Sequence, residues 1–283
     1  MVPISAFDLG RYVAYLSHRL CFVSIRNYLS VVRLLHIEAG YSNPLQSHYI
    51  NSVLKGARRV LGDQSSPKLP ITPAILLSIL KQLDLSCPAD ITFWAACTVA
   101  FFSFFRKSNL FPPPKSVFTP GIHLCRDSVV FTPDGAVLSV NWTKTIQFRQ
   151  RTLAIPLPRI NRSPLCPAQA LLLSFKISPT SSYVCPLFMY RQGEKLLPLT
   201  YAMFISRLKQ CLATAGLDPS LYSGHSFRRG GATFALECGL SPDMIQSQGD
   251  WKSLAYQRYL DPSLSARHLV VKTMASHIRE LNL

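Results

Sequence analysis

The chain runs to 283 residues, enough for one large domain with a smaller companion rather than a single ordinary core. Hydrophobic residues make up 48% and charged ones 16%, which excludes a disordered tail. Lysine and arginine number 30 against 14 acids, a net charge of +16; a surplus of that size points to a polyanionic partner, nucleic acid first and an anionic membrane surface second.

The N-terminal MVPISAFDLGRY has no basic segment leading into an apolar one, so no signal peptide is expected. Residues 5–62 read as helical. AFDLGRYVAYLSHRL carries apolar residues at helical spacing, Ser24 is placed to cap IRNYLSVVRLLHIEAG, and Gly40 closes that helix. A third helix over residues 48–61 carries Lys55, Arg58 and Arg59. The Pro- and Ser-rich DQSSPKLPITP, residues 63–73, reads as an extended linker. Helices resume with PAILLSILKQLDL and with ITFWAACTVAFFSFFRKSNL, which Pro112, Pro113 and Pro114 are expected to stop. The apolar run from Ile91 to Phe105 is 15 residues long, short of the ~20 that a membrane span needs, so it reads as a buried helix and no membrane partner is expected.

From Lys115 to Pro158 the pattern turns to alternation, with Asp134-Gly135 as a hairpin turn, and predicts a three-stranded antiparallel sheet. Helices return over residues 200–215, 227–238, 242–248 and 263–281. The fold class is therefore mainly α with a small antiparallel β-sheet (α+β). Its expected domains are a helical one at 1–64, a linker at 65–73 and a mixed one at 74–283. The eight cysteines form no CxxC pair and no zinc-spaced set with histidine, so no metal site is expected and they read as reduced core thiols of an intracellular protein.

Four local signals carry chemistry. Arg106, in FFRKSNL, ends a very apolar helix, where an unpartnered charge would cost several kcal/mol. In GHSFRRGG, His225 and Arg228 are three apart and flank the first turn of a helix beginning near Ser226, a place that favours anions. Trp251 follows Gly249-Asp250, with Tyr256 and Tyr259 close behind. Lys144 stands in the strand NWTKT beside a loop holding Arg149 and Arg151. Each alone has a plainer reading: a snorkelling arginine, a chance HxxR, packed aromatics, a solvated basic hairpin.

In this order over about 150 residues, the signals resemble the tyrosine recombinase or phage integrase family. FFRKSNL resembles its first-arginine helix, TKTIQFRQRTLAIPLP its lysine hairpin, GHSFRRGGATFALECGL its HxxR helix, SPDMIQSQGDWKS the following helix with the His/Trp position, and YQRYLD its nucleophile segment. FFRKSNL and GDWKS are also similar to the recombinases of DIRS-like eukaryotic retrotransposons. The resemblance implies a helical DNA-binding domain joined to a catalytic domain, the two forming a clamp with basic faces inward. It implies cleavage and rejoining of double-stranded DNA through a 3′-phosphotyrosine, with no cofactor, by a homotetramer on DNA, and a nuclear setting. Arg106 and Arg228 would hold the phosphate, Lys144 would protonate the leaving oxygen, His225 would move a proton or orient the phosphate, Trp251 would hydrogen-bond it, and Tyr259 would attack. Residues 263–281, amphipathic through Leu264, Leu269, Val270, Met274, Ile278 and Leu281, would dock on a neighbouring protomer.

There are departures. Asn109 stands where the family commonly has an acid. Tyr259 is eight residues after Trp251 rather than nine, and Tyr256 is five, so spacing favours Tyr259. The helical block matches from what resembles the second helix of the family's clamp domain, as in an N-terminally shortened chain. The rival reading is a DNA-binding relic that has lost cleavage.

Overall fold

The computed structural model describes residues 2–62, 68–112, 118–146, 148, 150–260, 271, 272 and 274. Two compact units divide the chain, Met1–Pro67 and Lys68–Leu283.

Among its described residues the first unit has three α-helices, α1 (Ala6–Ser17), α2 (Phe22–Glu38) and α3 (His48–Leu61), with a 3-10 turn at Pro44–Gln46. Leu9, Val13 and Leu16 lie along one face of α1 and meet Ile25, Leu29 and Ile50 in a small core. Ser5 caps α1 through the Asp8 amide. Ser24 does not cap α2: the helix starts earlier, at Phe22, and Cys21 takes the cap position. The reason is burial, since Phe22, Ile25 and Leu29 then share the inward face. Buried His36 accepts a hydrogen bond from the Ile4 N–H at 3.0 Å, while its Nδ1 lies 2.7 Å from the Val32 carbonyl. That pair of partners makes Nδ1 the protonated nitrogen.

The second unit is built around α5 (Pro88–Ser103), from which almost every residue is buried. No helix of the described residues is long and apolar enough to cross a membrane. Around α5 stand α4 (Pro73–Leu80), α7 (Pro167–Ile177), α8 (Tyr201–Thr214) and α9 (Gly224–Glu237), with a single core running through them. The sequence expectation of one helix through FFRKSNL is corrected here. Phe104 adopts left-handed backbone (φ 52°), α5 stops at Ser103, and Arg106 caps a separate short helix, α6 (Lys107–Leu110). The turn lets the Phe104 ring pack towards Trp251 and its carbonyl accept from Arg228. Pro112 therefore follows α6 rather than ending α5, and Pro113 and Pro114 lie outside the described residues.

The three-stranded antiparallel sheet is present, in the order β1 (Val129–Thr132), β2 (Gly135–Val140), β3 (Leu153–Pro158). Thr132 pairs with Gly135, so the turn residues are Pro133 and Asp134, and Gly135 opens the next strand. Ala136, Leu138 and Val140 alternate inward and face Ile155 and Leu157 across the ladder. A second hairpin, β4 (Met189–Gln192) with β5 (Lys195–Pro198), was not expected. Its four-residue strands are too short to show alternation, although Gly193 (φ 59°) marks its turn.

Arg126 anchors that hairpin. It is almost wholly buried, stacks over Phe175 at 4.4 Å, and donates to the carbonyls of Ser178 and Met189 at 2.6 and 3.0 Å. Ser178 ends α7, where a cation is favoured by the helix dipole.

Helix α9 begins at Gly224, earlier than expected, because the Ser223 and Ser226 side chains form a reciprocal cap around its first turn. It presses so closely on the segment before α4 that a Cβ on Gly230 would lie 1.8 Å from the Ile71 carbonyl oxygen. Helix α10 (Pro242–Gln248) is followed by a 3-10 segment, Leu254–Tyr259. The helix expected over residues 263–281 lies, apart from residues 271, 272 and 274, outside the described residues.

Two glycine substitutions should act in opposite directions. Gly230→Ala drives a methyl into backbone that cannot step aside and should cost about 2 kcal/mol or more. Gly56→Ala, on exposed α3 with open space around it, should stabilise the first unit by up to about 1 kcal/mol. Urea unfolding followed separately for the two units tests both signs.

Candidate active site

The candidate site gathers at the start of α9. His225 is the second residue of that helix, exposed, with its N–H directed to Ser223 Oγ at 3.3 Å. Desolvation by the surrounding protein holds its imidazole below the ordinary 6.5, and the positive charges of Arg228, Arg106 and Lys107 push it further the same way. Three cations on two separate segments therefore lie within electrostatic reach of one ring. Tyr201 joins the segments. Its ring sits under the Lys107 ammonium at 4.7 Å, and its hydroxyl accepts from the Gly224 N–H at 3.4 Å. A Cβ on Gly224 would meet that ring at 3.0 Å, so glycine lets the helix start this close.

Arg228 lies deeper, 1% exposed. It donates to the carbonyls of Phe104 and Gly249, the second at 2.9 Å, and its guanidinium stacks 3.7 Å over Trp251. Phe104 ends α5 and Gly249 ends α10, so one cation serves two helix C-termini. The indole packs directly on Gly249, where a Cβ would fall 1.7 Å from the ring. Around Trp251 lie Phe104, Ala232, Ala235, Ile245 and Tyr256. Tyr256 is 2% exposed and tilted against the indole at 5.9 Å. The backbone of Tyr259 ends the 3-10 segment, and its side chain lies outside the described residues.

Lys144 is not in a strand. β2 ends at Val140, and Lys144 occupies an exposed turn closed by a bridge between Thr143 and Ile146. Pleated alternation stops once the chain leaves the paired region, which pattern alone does not reveal. Arg149 lies outside the described residues. Arg151 pairs with Asp250, and Asp250 also accepts from Thr143 and Thr145.

The structure thus places Arg106 and Arg228 within electrostatic reach of His225 and seats Trp251 against Arg228. Lys144 belongs to a turn bonded to the residue before Trp251. Asn109 sits on α6 with its N–H on the Arg106 carbonyl at 2.9 Å. The sequence pattern assigned no role to Lys107, Tyr201 or Asp250. Lys107 adjoins Arg106 and Asp250 adjoins Trp251, but their partners are distant in sequence. In the first unit, Arg26 and Arg33 on α2 and Lys55 and Arg58 on α3 line a groove of about 410 Å³.

No family model matches the chain. A protein described as an integrase/recombinase xerD homolog, from Selenomonas ruminantium, is 23% identical over 261 residues, which is 89% of this chain and 72% of that protein. The structure of the Tn1549 transposon integrase in complex with circular intermediate DNA matches 95% of this chain and 85% of its own, at TM-score 0.59 and 15% identity. XerH site-specific recombinase bound to palindromic difH substrate, in a post-cleavage complex, matches 91% of this chain and 68% of its own, at TM-score 0.60 and 15% identity. The fold is that of the tyrosine recombinases, mostly helical with small antiparallel sheets.

His225 gives a direct measurement. Followed by NMR, its ring should titrate below 6.5, and Arg106→Gln should move the midpoint upward by removing a positive neighbour. The folded state binds this proton less readily than the unfolded chain. His225 therefore weakens the fold as pH falls below 6.5 and leaves it unaffected well above. A midpoint unchanged by Arg106→Gln would show that the two are not electrostatically joined.

Proposed function

We propose that this chain is a tyrosine recombinase that cuts and rejoins double-stranded DNA through a 3′-phosphotyrosine. The observation that carries this reading is the grouping of cations at the first turn of α9, where Lys107 lies over the Tyr201 ring that accepts from Gly224, Arg228 is fixed against Trp251, and the positive charges of Arg228, Arg106 and Lys107 all act on His225. A phosphodiester in attack gathers negative charge on its non-bridging oxygens, and preorganised cations at a helix N-terminus stabilise it there. The fold supports the reading, as does the +16 charge, which suits a polyphosphate backbone. The cationic groove of α2 and α3 would carry part of that backbone contact.

In this mechanism the Tyr259 hydroxyl oxygen attacks phosphorus, and the bond to the 5′ oxygen breaks. His225, whose imidazole is shifted toward its neutral form by desolvation and by the neighbouring cations, takes the tyrosine proton. The Lys144 ammonium gives a proton to the departing 5′ oxygen, which leaves as a hydroxyl. Arg106 would contact the phosphate, and Arg228 would add positive charge from beneath, fixed by its two carbonyls. Burial of Tyr256 against Trp251 supports a packing role for it, and the spacing from Trp251 supports Tyr259 as the nucleophile. Rejoining reverses the steps, and the phosphotyrosine conserves the energy of the broken linkage.

We further propose, from the segments FFRKSNL and GDWKS, a recombinase of retrotransposon type acting in the nucleus as a homotetramer on DNA. Deleting residues 263–283 should then reduce synapsis in a gel-shift assay far more than binding to a single site.

The central test is a pool of nicked, randomised duplexes scored for a denaturation-resistant protein–DNA adduct. Wild type should form it. Tyr259→Phe should lose it by at least about a thousandfold while DNA affinity stays within about twofold, since affinity comes from phosphate contacts. Tyr256→Phe should retain it. DNA binding without an adduct in wild type would establish the relic reading instead.

A further inference from the structure

We propose that Asp250 is a positioning residue that holds the Lys144 turn to the Trp251 side of the site, an inference that rests on the reaction proposed for Lys144. The Asp250 carboxylate accepts from Thr143 Oγ1 at 3.2 Å and from Thr145 Oγ1, the two residues that flank Lys144. Its other oxygen pairs with Arg151, on the returning limb of the same hairpin. Both limbs of the loop between β2 and β3 are therefore fastened to one side chain. Within the turn, Thr143 Oγ1 also accepts the N–H groups of Thr145 and Ile146 at 3.0 and 3.1 Å. The hydroxyl that reaches Asp250 thus organises the backbone on which Lys144 stands, and Ile146, wholly buried, anchors the end of it.

Three features argue that this carboxylate is placed for that purpose. Asp250 has φ 51°, left-handed backbone where glycine would be at ease and a side chain is disfavoured. Its side chain is only 11% exposed, so its charge needs partners. A carboxylate near a phosphate site would oppose the substrate by like charge, and the Arg151 pair cancels that charge. What remains is a neutral tether. The tether ends one residue from Trp251, and Trp251 carries the Arg228 guanidinium on its face. Through Asp250 the proton donor is held in register with the buried cation. Lys144 stays exposed and free to meet the leaving oxygen. A general acid acts only when its proton lies within hydrogen-bond reach of the oxygen that needs it, so the tether's effect is geometric.

The experiment has two arms. The first is amide hydrogen exchange in Asp250→Ala, with Thr145→Val as a second variant that leaves the Asp250 turn intact. The Ile146 amide should exchange at least about tenfold faster in both, and the Thr145 amide faster in Asp250→Ala, with α5 unchanged. Unchanged exchange at these amides overturns the tether. The second arm is single-turnover adduct formation on the DNA selected by wild type. Asp250→Ala should be slowed about a hundredfold with oxygen at the scissile 5′ bridge, with DNA affinity unaltered. With sulfur at that bridge it should come within about threefold of wild type, because a thiolate departs without a proton. Asp250→Asn, which keeps an acceptor for the threonines and loses the ion pair, should fall between. A defect that persists in full on the sulfur substrate shows a merely structural carboxylate and overturns the positioning role. A wild-type chain that makes no adduct on either DNA overturns the proposed reaction, while the exchange rates still decide the tether by themselves.

Discussion

A guanidinium with almost no surface in solvent must find acceptors inside the protein, and Arg228 finds them at the ends of two helices. Burying such a charge unpartnered would cost several kcal/mol. The carbonyls that close α5 and α10 offset that cost, and the Trp251 face adds a cation–π contact. Much of the second unit follows from this one side chain. It requires Phe104 to turn out of α5, Gly249 to accept an indole at van der Waals distance, and α9 to lie between them. The residue that resembles a phosphate ligand by its motif is therefore also the bolt of three helices.

Close approach of α9 is the companion constraint. Gly230 and Gly231 let its backbone reach the Ile71 and Phe101 carbonyls, distances that no Cβ would permit. The approach carries the N-terminal turn of α9, with His225, to the break between α5 and α6 where Arg106 and Lys107 stand. An ordinary helix packed one side-chain layer further out would leave these groups apart. Charge density at the site is thus a consequence of backbone packing, and repulsion among its cations is tolerated because the fold's other interactions hold them in place.

The two hairpins show two ways of fastening a small β element to a helical core. β4–β5 is held by Arg126, a buried cation with carbonyl acceptors and an aromatic face beneath it. The loop between β2 and β3 is held on both limbs by Asp250, a partly buried anion with hydroxyl and guanidinium donors. The first is a rigid joint inside the core. The second lies at the surface, where water competes for the ion pair, so it can constrain Lys144 without immobilising it.

What the sequence determined by itself is local or compositional. Helical period placed α1 to α3, the apolar run from Ile91 marked the central helix, alternation found β1 to β3, and the net charge pointed to a polyanion. The order of Arg106, Lys144, HxxR and Trp251 named the segments to watch. Tertiary structure decided what those segments do to one another. The break at Phe104 depends on Arg228, 124 residues away, and the setting of Lys144 on Asp250, 105 residues from Thr145. Tyr256 is buried because Trp251 lies across it, which no spacing between the two would disclose. Periodicity records which face of an element is buried. It carries no record of which distant carbonyl or hydroxyl will meet a charged side chain, because that partner is chosen only when the elements pack.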